Sequence, residues 1–131
     1  MQEKKKVSSS SAVNAVGTYS LGEEIANAVT HGLAVLLSIA GLVLMIIFAV
    51  RQSAGALAIV STSIFGASMI ILYTVSTLYH AIPNLRAKRV LQVLDHSAIY
   101  ILIAGSYTPF CLITLGGTTG IVLCSVVWTI A

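Results

Sequence analysis

Apolar and polar positions fall into blocks along this chain. Uncharged, mostly apolar runs occupy Gly32 to Val50, Ser53 to Tyr79, and Ser97 to Ala131. A helix needs about 20 apolar residues to cross a bilayer, so the first two runs suffice for one crossing each. The third is long enough to complete one crossing and begin another, with Gly116-Gly117-Thr118-Thr119-Gly120 as the natural turn between them. The pattern predicts an all-α integral membrane protein with three complete transmembrane helices and the start of a fourth. Ser20 followed by Glu23 has capping-box spacing, which predicts that a helix begins there. Residues 1–19, polar and serine-rich, read as a disordered tail, and residues 20–131 as the membrane domain.

Composition agrees with the pattern. Hydrophobic residues make up 57% of the 131 positions and charged residues 8%, with a mean hydropathy of +0.98, outside the balance found in soluble domains. The Lys4-Lys5-Lys6 cluster is separated from the first apolar run by a long polar stretch with no small-residue cleavage site at the expected distance, so it is not a secretory signal. Cys111 and Cys124 lie in apolar runs, where a small hydrophobic role is expected.

The charges fix an expected orientation. Lys4 to Lys6 precede the first span, and Arg86, Lys88 and Arg89 follow the second, whereas only Arg51 lies between the first two. The positive-inside rule then places the N-terminus and the loop 81–94 in the cytoplasm of a cell-membrane protein. The formal charge of +3 reflects topology and attraction to membrane lipids, the expected partners. No basic, aromatic-interleaved patch points to nucleic acid.

Candidate chemistry gathers where the second and third spans adjoin, at Ser76-Thr77-Leu78-Tyr79-His80 and Asp95-His96-Ser97-Ala98-Ile99-Tyr100. An ionisable group at the centre of a bilayer costs about 2.5–3.5 kcal/mol on insertion scales, so a His and an Asp near membrane depth call for a polar or metal site. Tyr73, Ser76 and His80 share one helical face, as do Asp95 and Ser106. A short hairpin would let Asp95 start its helix at the depth where His80 ends, so that carboxylate and imidazole meet directly or through water, as a metal ligand and its orienting partner do. Ahead of the first span, Glu24, Asn27 and His31 form a stripe at i, i+3 and i+7. This stripe either meets water and headgroups as an interfacial helix or turns inward as a lid over a polar cavity. A catalytic zinc takes three protein ligands and leaves one position for water. One His and one Asp do not complete that set, and His31 and His96 lack a compact His-x-x-x-His spacing, so a structural interfacial His80 stays open beside a metal-binding one.

The ordered motifs Glu24-x-x-Asn27-x-x-Thr30-His31, Ser76-x-x-x-His80 and Asp95-His96-Ser97-Ala98-Ile99-Tyr100, the last continuing to Pro109, resemble the bacterial hemolysin III family of the progestin and adipoQ receptor superfamily, from about Tyr19 onward. The resemblance implies a seven-helix bundle with a cytoplasmic N-terminus. It further implies that His80 is one of three histidine ligands of a zinc near the cytoplasmic face, that Asp95 holds the zinc-bound water, and that Ser76 is their polar neighbour. The other two ligands belong to a His-x-x-x-His motif on the last helix. No such motif occurs here, and the sequence stops after Trp128-Thr129-Ile130-Ala131, inside the expected fourth span, as a fragment or truncated product would.

The family resemblance points to several functions. Kinship with adiponectin receptors and alkaline ceramidases implies zinc-dependent hydrolysis of lipid amides or esters, with Asp95 and Ser76 as catalytic candidates. The family name implies a cytolytic pore, although no span carries a conducting polar stripe. A receptor or membrane-stress regulator without chemistry would use the same bundle with the metal as a staple.

Overall fold

The computed structural model describes residues 19–131, so the disordered tail expected at 1–19 lies, but for Tyr19, outside the described residues. Four α-helices follow one another: α1 (Leu21–Arg51), α2 (Gly55–Ala81), α3 (Leu85–Pro109) and α4 (Gly117–Ile130). A π-helical stretch, Phe110–Leu115, extends α3. Among the described residues there is no strand. The first three helices, α3 together with its π extension, are long and apolar enough to cross a membrane, and α4 is a shorter apolar helix. The architecture is that of an all-α membrane protein.

Local chemistry sets the helix limits. Ser20 caps α1 reciprocally: its hydroxyl accepts from the Glu23 N–H at 3.4 Å, and the Glu23 carboxylate accepts from the Ser20 N–H at 2.7 Å. After Arg51 the chain turns through two left-handed positions, Ser53 at φ 51° and Gly55 at φ 82°. Pro83 stops α2, since the residue before a proline is driven out of the helical region; Ile82 is extended at φ −90°, ψ 120°. Asn84 then starts α3 by accepting from the N–H groups of Arg86 and Ala87 at 3.0 and 3.2 Å.

Two expectations change here. Asp95 does not start its helix but lies well inside α3, because Arg86, Lys88 and Arg89 interrupt the apolar run without interrupting the helix. The glycine cluster makes a narrower turn than expected: Gly116 (φ +62°) and Gly117 (φ +56°) bend the chain, while Thr118 to Gly120 already belong to α4.

Helix α2 lies in the middle, packed against α1 on one side and α3 on the other, and α1 and α3 do not pack against each other. Small residues allow the approach, as membrane helix interfaces require. Leu42 of α1 lies against Gly66, and Ser68 lies against Gly105 of α3. Large apolar side chains such as Leu36, Leu37, Val43, Val60 and Ile99 point outward, as expected of helices facing lipid. Helix α4 folds back onto the π stretch and α3, and the Trp128 indole N–H donates to Thr108 Oγ1 at 3.0 Å.

Candidate functional site

The polar stripe of α1 and that of α2 face each other. The two helices run antiparallel, so Glu24, near the start of α1, meets His80, at the end of α2. His31, two turns further along α1, meets Ser76 and Tyr73. The His80 Nδ1 lies 2.8 Å from Glu24 Oε2, and since a carboxylate only accepts, the ring donates from Nδ1. His31 Nδ1 lies 2.7 Å from Ser76 Oγ. The two imidazole centroids are 5.9 Å apart, and the His31 ring also stands edge-on to Tyr73 at 5.8 Å. Tyr79 and Tyr19 flank His80 at 4.7 and 5.5 Å.

Burial makes these contacts consequential. The His80 side chain is 6% exposed and that of Glu24 12%, while Ser76 is 4% exposed. A carboxylate withdrawn this far from water needs countercharge. Lys88 of α3 supplies it, binding the second Glu24 oxygen and standing 5.4 Å above the Tyr79 ring. Lys88 thus links α3 to α1, which it reaches with a long side chain where the helices themselves do not touch. Charge patterning alone assigns Lys88 to topology and gives no sign of this pairing. Beside the cluster opens a groove of about 490 Å³, with apolar walls from Leu21, Ile25 and Ile82 and a polar wall from Glu24, His80 and Lys88.

Asp95 stands at nearly the same level. From the contact of Ser68 with Gly105, His80 is twelve residues along α2 and Asp95 ten residues back along α3. At about 1.5 Å per residue these offsets are about 18 and 15 Å. Helix α3 overshoots the end of α2, so Asp95 reaches the level of His80 from within its helix. The carboxylate that touches the imidazole is nonetheless Glu24; among the described residues the Asp95 carboxylate makes no hydrogen bond or ion pair. Asn27 lies between Glu24 and His31 on the same stripe and makes no side-chain hydrogen bond among the described residues. His96 turns away, its Nδ1 on the Gln92 carbonyl at 2.6 Å. Ser106 bonds the Ile103 carbonyl of its own helix.

His80 Nδ1 is held by a carboxylate, and its Nε2 has no partner among the described residues. This chain does not assemble a set around it: among the described residues no three His, Cys, Asp or Glu side chains come close enough to share an ion.

The sequence matches the family described as Haemolysin-III related over residues 19–131, the span that contains all of these residues. It is 54% identical over 113 residues to the hemolysin-3 homolog of Bacillus subtilis (strain 168), covering 86% of this chain and 53% of that protein. To hemolysin-3 of Bacillus cereus it is 49% identical over 109 residues, covering 83% of this chain and 49% of that protein. The chain thus spans about half the length of the curated relatives it matches. No solved structure matches it. With its apolar helices and a family match over nearly the whole of its length, this membrane protein belongs to the haemolysin III-related family.

Proposed function

We propose that the whole protein is a zinc-dependent hydrolase of lipid amides or esters, with its N-terminus and the His80 end of the bundle on the cytoplasmic side. The observation that carries this is the Glu24–His80 contact: a half-buried carboxylate holds Nδ1 and leaves Nε2 without a partner among the described residues, and a carboxylate so placed is how proteins orient a histidine ligand and raise its basicity. The remaining ligands would come from further spans of a seven-helix bundle. Zinc, when bound, polarises a carbonyl and activates water near neutral pH. The chain's own residues have separate tasks. Asp95, level with His80, holds the attacking water and takes its proton as general base. Ser76 supplies a hydroxyl beside the reacting carbonyl. The apolar walls of the groove exclude water and seat an acyl chain.

The names of the two relatives favour a second function, a cytolytic one. One reconstitution separates the two. In vesicles containing ceramide and an entrapped dye, the full-length hydrolase releases fatty acid, and chelation or Asp95→Ala abolishes the release. Dye leakage that persists in Asp95→Ala, with no lipid cleaved by the wild type, overturns the hydrolase and supports the cytolysin.

A further inference from the structure

Every other Ser or Thr hydroxyl that donates a hydrogen bond within the described helices gives it to a carbonyl of its own helix, a habit that Ser76 does not share. Ser38, Ser61, Ser63 and Thr77, like Thr108, each donate to the carbonyl four residues back, and Ser68 donates to the one three back. That is the default for a hydroxyl in a helix surrounded by lipid, where no water offers an alternative. Ser76 has a carbonyl available at Leu72 in the same geometry, is itself 4% exposed, and bonds instead to His31 Nδ1 across the helix interface. The ring it meets is closely held, edge-on between Tyr73 and His80.

The direction of this bond decides what Ser76 can do. If the hydroxyl donates, its only proton is spent on His31, and the His31 proton sits on Nε2, which has no partner among the described residues. If His31 donates from Nδ1, Nε2 carries the lone pair, likewise without a partner among the described residues, and the hydroxyl proton is left over. A hydroxyl rotates about its C–O bond, so that proton can reach back to its own helix or forward to a ligand.

We propose that His31 is a positioning residue that donates Nδ1–H to Ser76 Oγ and so frees the Ser76 proton to bind the carbonyl oxygen of a lipid amide or ester lying against His80. The inference deepens the hydrolase assignment and rests on it. As charge builds on that oxygen during attack, a donor already aimed at it contributes more than it does in the resting complex. Without His31 the hydroxyl falls back onto the Leu72 carbonyl, and the donor is lost although Ser76 remains.

The test uses full-length protein in nanodiscs, with short-chain fluorescent ceramide as the probe, and compares His31→Leu, His31→Gln, Ser76→Ala and the double variant His31→Leu/Ser76→Ala. His31→Leu and Ser76→Ala are each expected to lower kcat by about 100-fold, the loss typical of one oxyanion donor, with KM and bound zinc little changed. The double variant is expected to be no worse than either single one, and His31→Gln, whose amide can donate, recovers most of the rate. Nitrogen-15 spectra of the wild type are expected to place the His31 proton on Nδ1. A Gln variant no better than Leu, losses that multiply in the double variant, or a proton on Nε2 overturns the inference. Wild type that binds the ceramide but cleaves none sinks the hydrolase alone. Affinity then decides: a roughly tenfold weakening in His31→Leu supports the inference, and equal affinity overturns it. Wild type that neither binds nor cleaves the probe overturns both.

Discussion

Glu24 Oε2 and His80 Nδ1 are 2.8 Å apart although 56 residues separate them in the chain. The other oxygen of the same carboxylate holds Lys88, so one acidic side chain joins all three long helices. Glu24→Ala removes the acceptor of two charge-assisted hydrogen bonds, a class worth about 1.5–3 kcal/mol each. Lys88→Gln removes one partner and leaves the carboxylate on His80. Unfolding in mixed micelles should therefore show Glu24→Ala as the more destabilised variant. Equal stabilities would mean that leaving the carboxylate without its cation costs as much as losing both bonds.

The glycines allow a graded test of packing. A Cβ at Gly120 would collide with the main-chain carbonyl of Cys111, and one at Gly105 with the Ser68 side chain, whereas Gly41 has open space. Backbone cannot swing aside as a side chain can. Gly120→Ala should be the costliest of the three, within the usual overpacking range of about 1–3 kcal/mol. Gly105→Ala should cost less, and Gly41→Ala should be neutral or slightly stabilising through helix propensity. Thermal unfolding of the three variants, ranked in that order, is the check.

Orientation can be read by thiol labelling in a background without Cys111 and Cys124. Arg86 and Ser53 are both exposed, so either position can carry a reporter cysteine without disturbing the Glu24 cluster. With the N-terminus inside, Ser53→Cys should react with an impermeant reagent in intact cells, and Arg86→Cys should react only after lysis. The reverse pattern would move His80 to the outer face.

Metal content separates a ligand from a structural histidine. In purified full-length protein, His80→Ala should lower bound zinc far more than His31→Ala or His96→Ala does. Glu24→Ala and Asp95→Ala should weaken it by about 10- to 100-fold, the range for residues that orient a ligand rather than bind the ion. Zinc unchanged by His80→Ala would leave His80 a structural residue.

Some of this architecture is plain in the sequence, and the reasons differ from residue to residue. Length and hydropathy suffice to count spans, and Ser20 with Glu23 marks the start of α1 because a capping box is local chemistry. Hydropathy places the start of α3 too late, because an uncharged run ends at any charge while a helix tolerates basic residues in its first turns. Pro83 followed by Asn84, a stop and then a cap, is the better signal. Glu24, Asn27 and His31 are visible as a stripe, but the direction of the stripe is not, since periodicity says which residues share a face and nothing about what that face meets. Lys88 is the least legible. Its pairing depends on α3 projecting beyond α2, a relation between helices that no local pattern contains.

The central place of α2 bears on how the chain enters the membrane. Helix α1 carries the most apolar window of the three and is the one best able to rest in lipid alone until α2 emerges. Helix α3 has basic residues at one end and Asp95 within, and its only lateral neighbour among the three is α2. The order of synthesis therefore matches the order of need: the segment able to wait comes first, the shared partner second, and the segment that depends on a partner last.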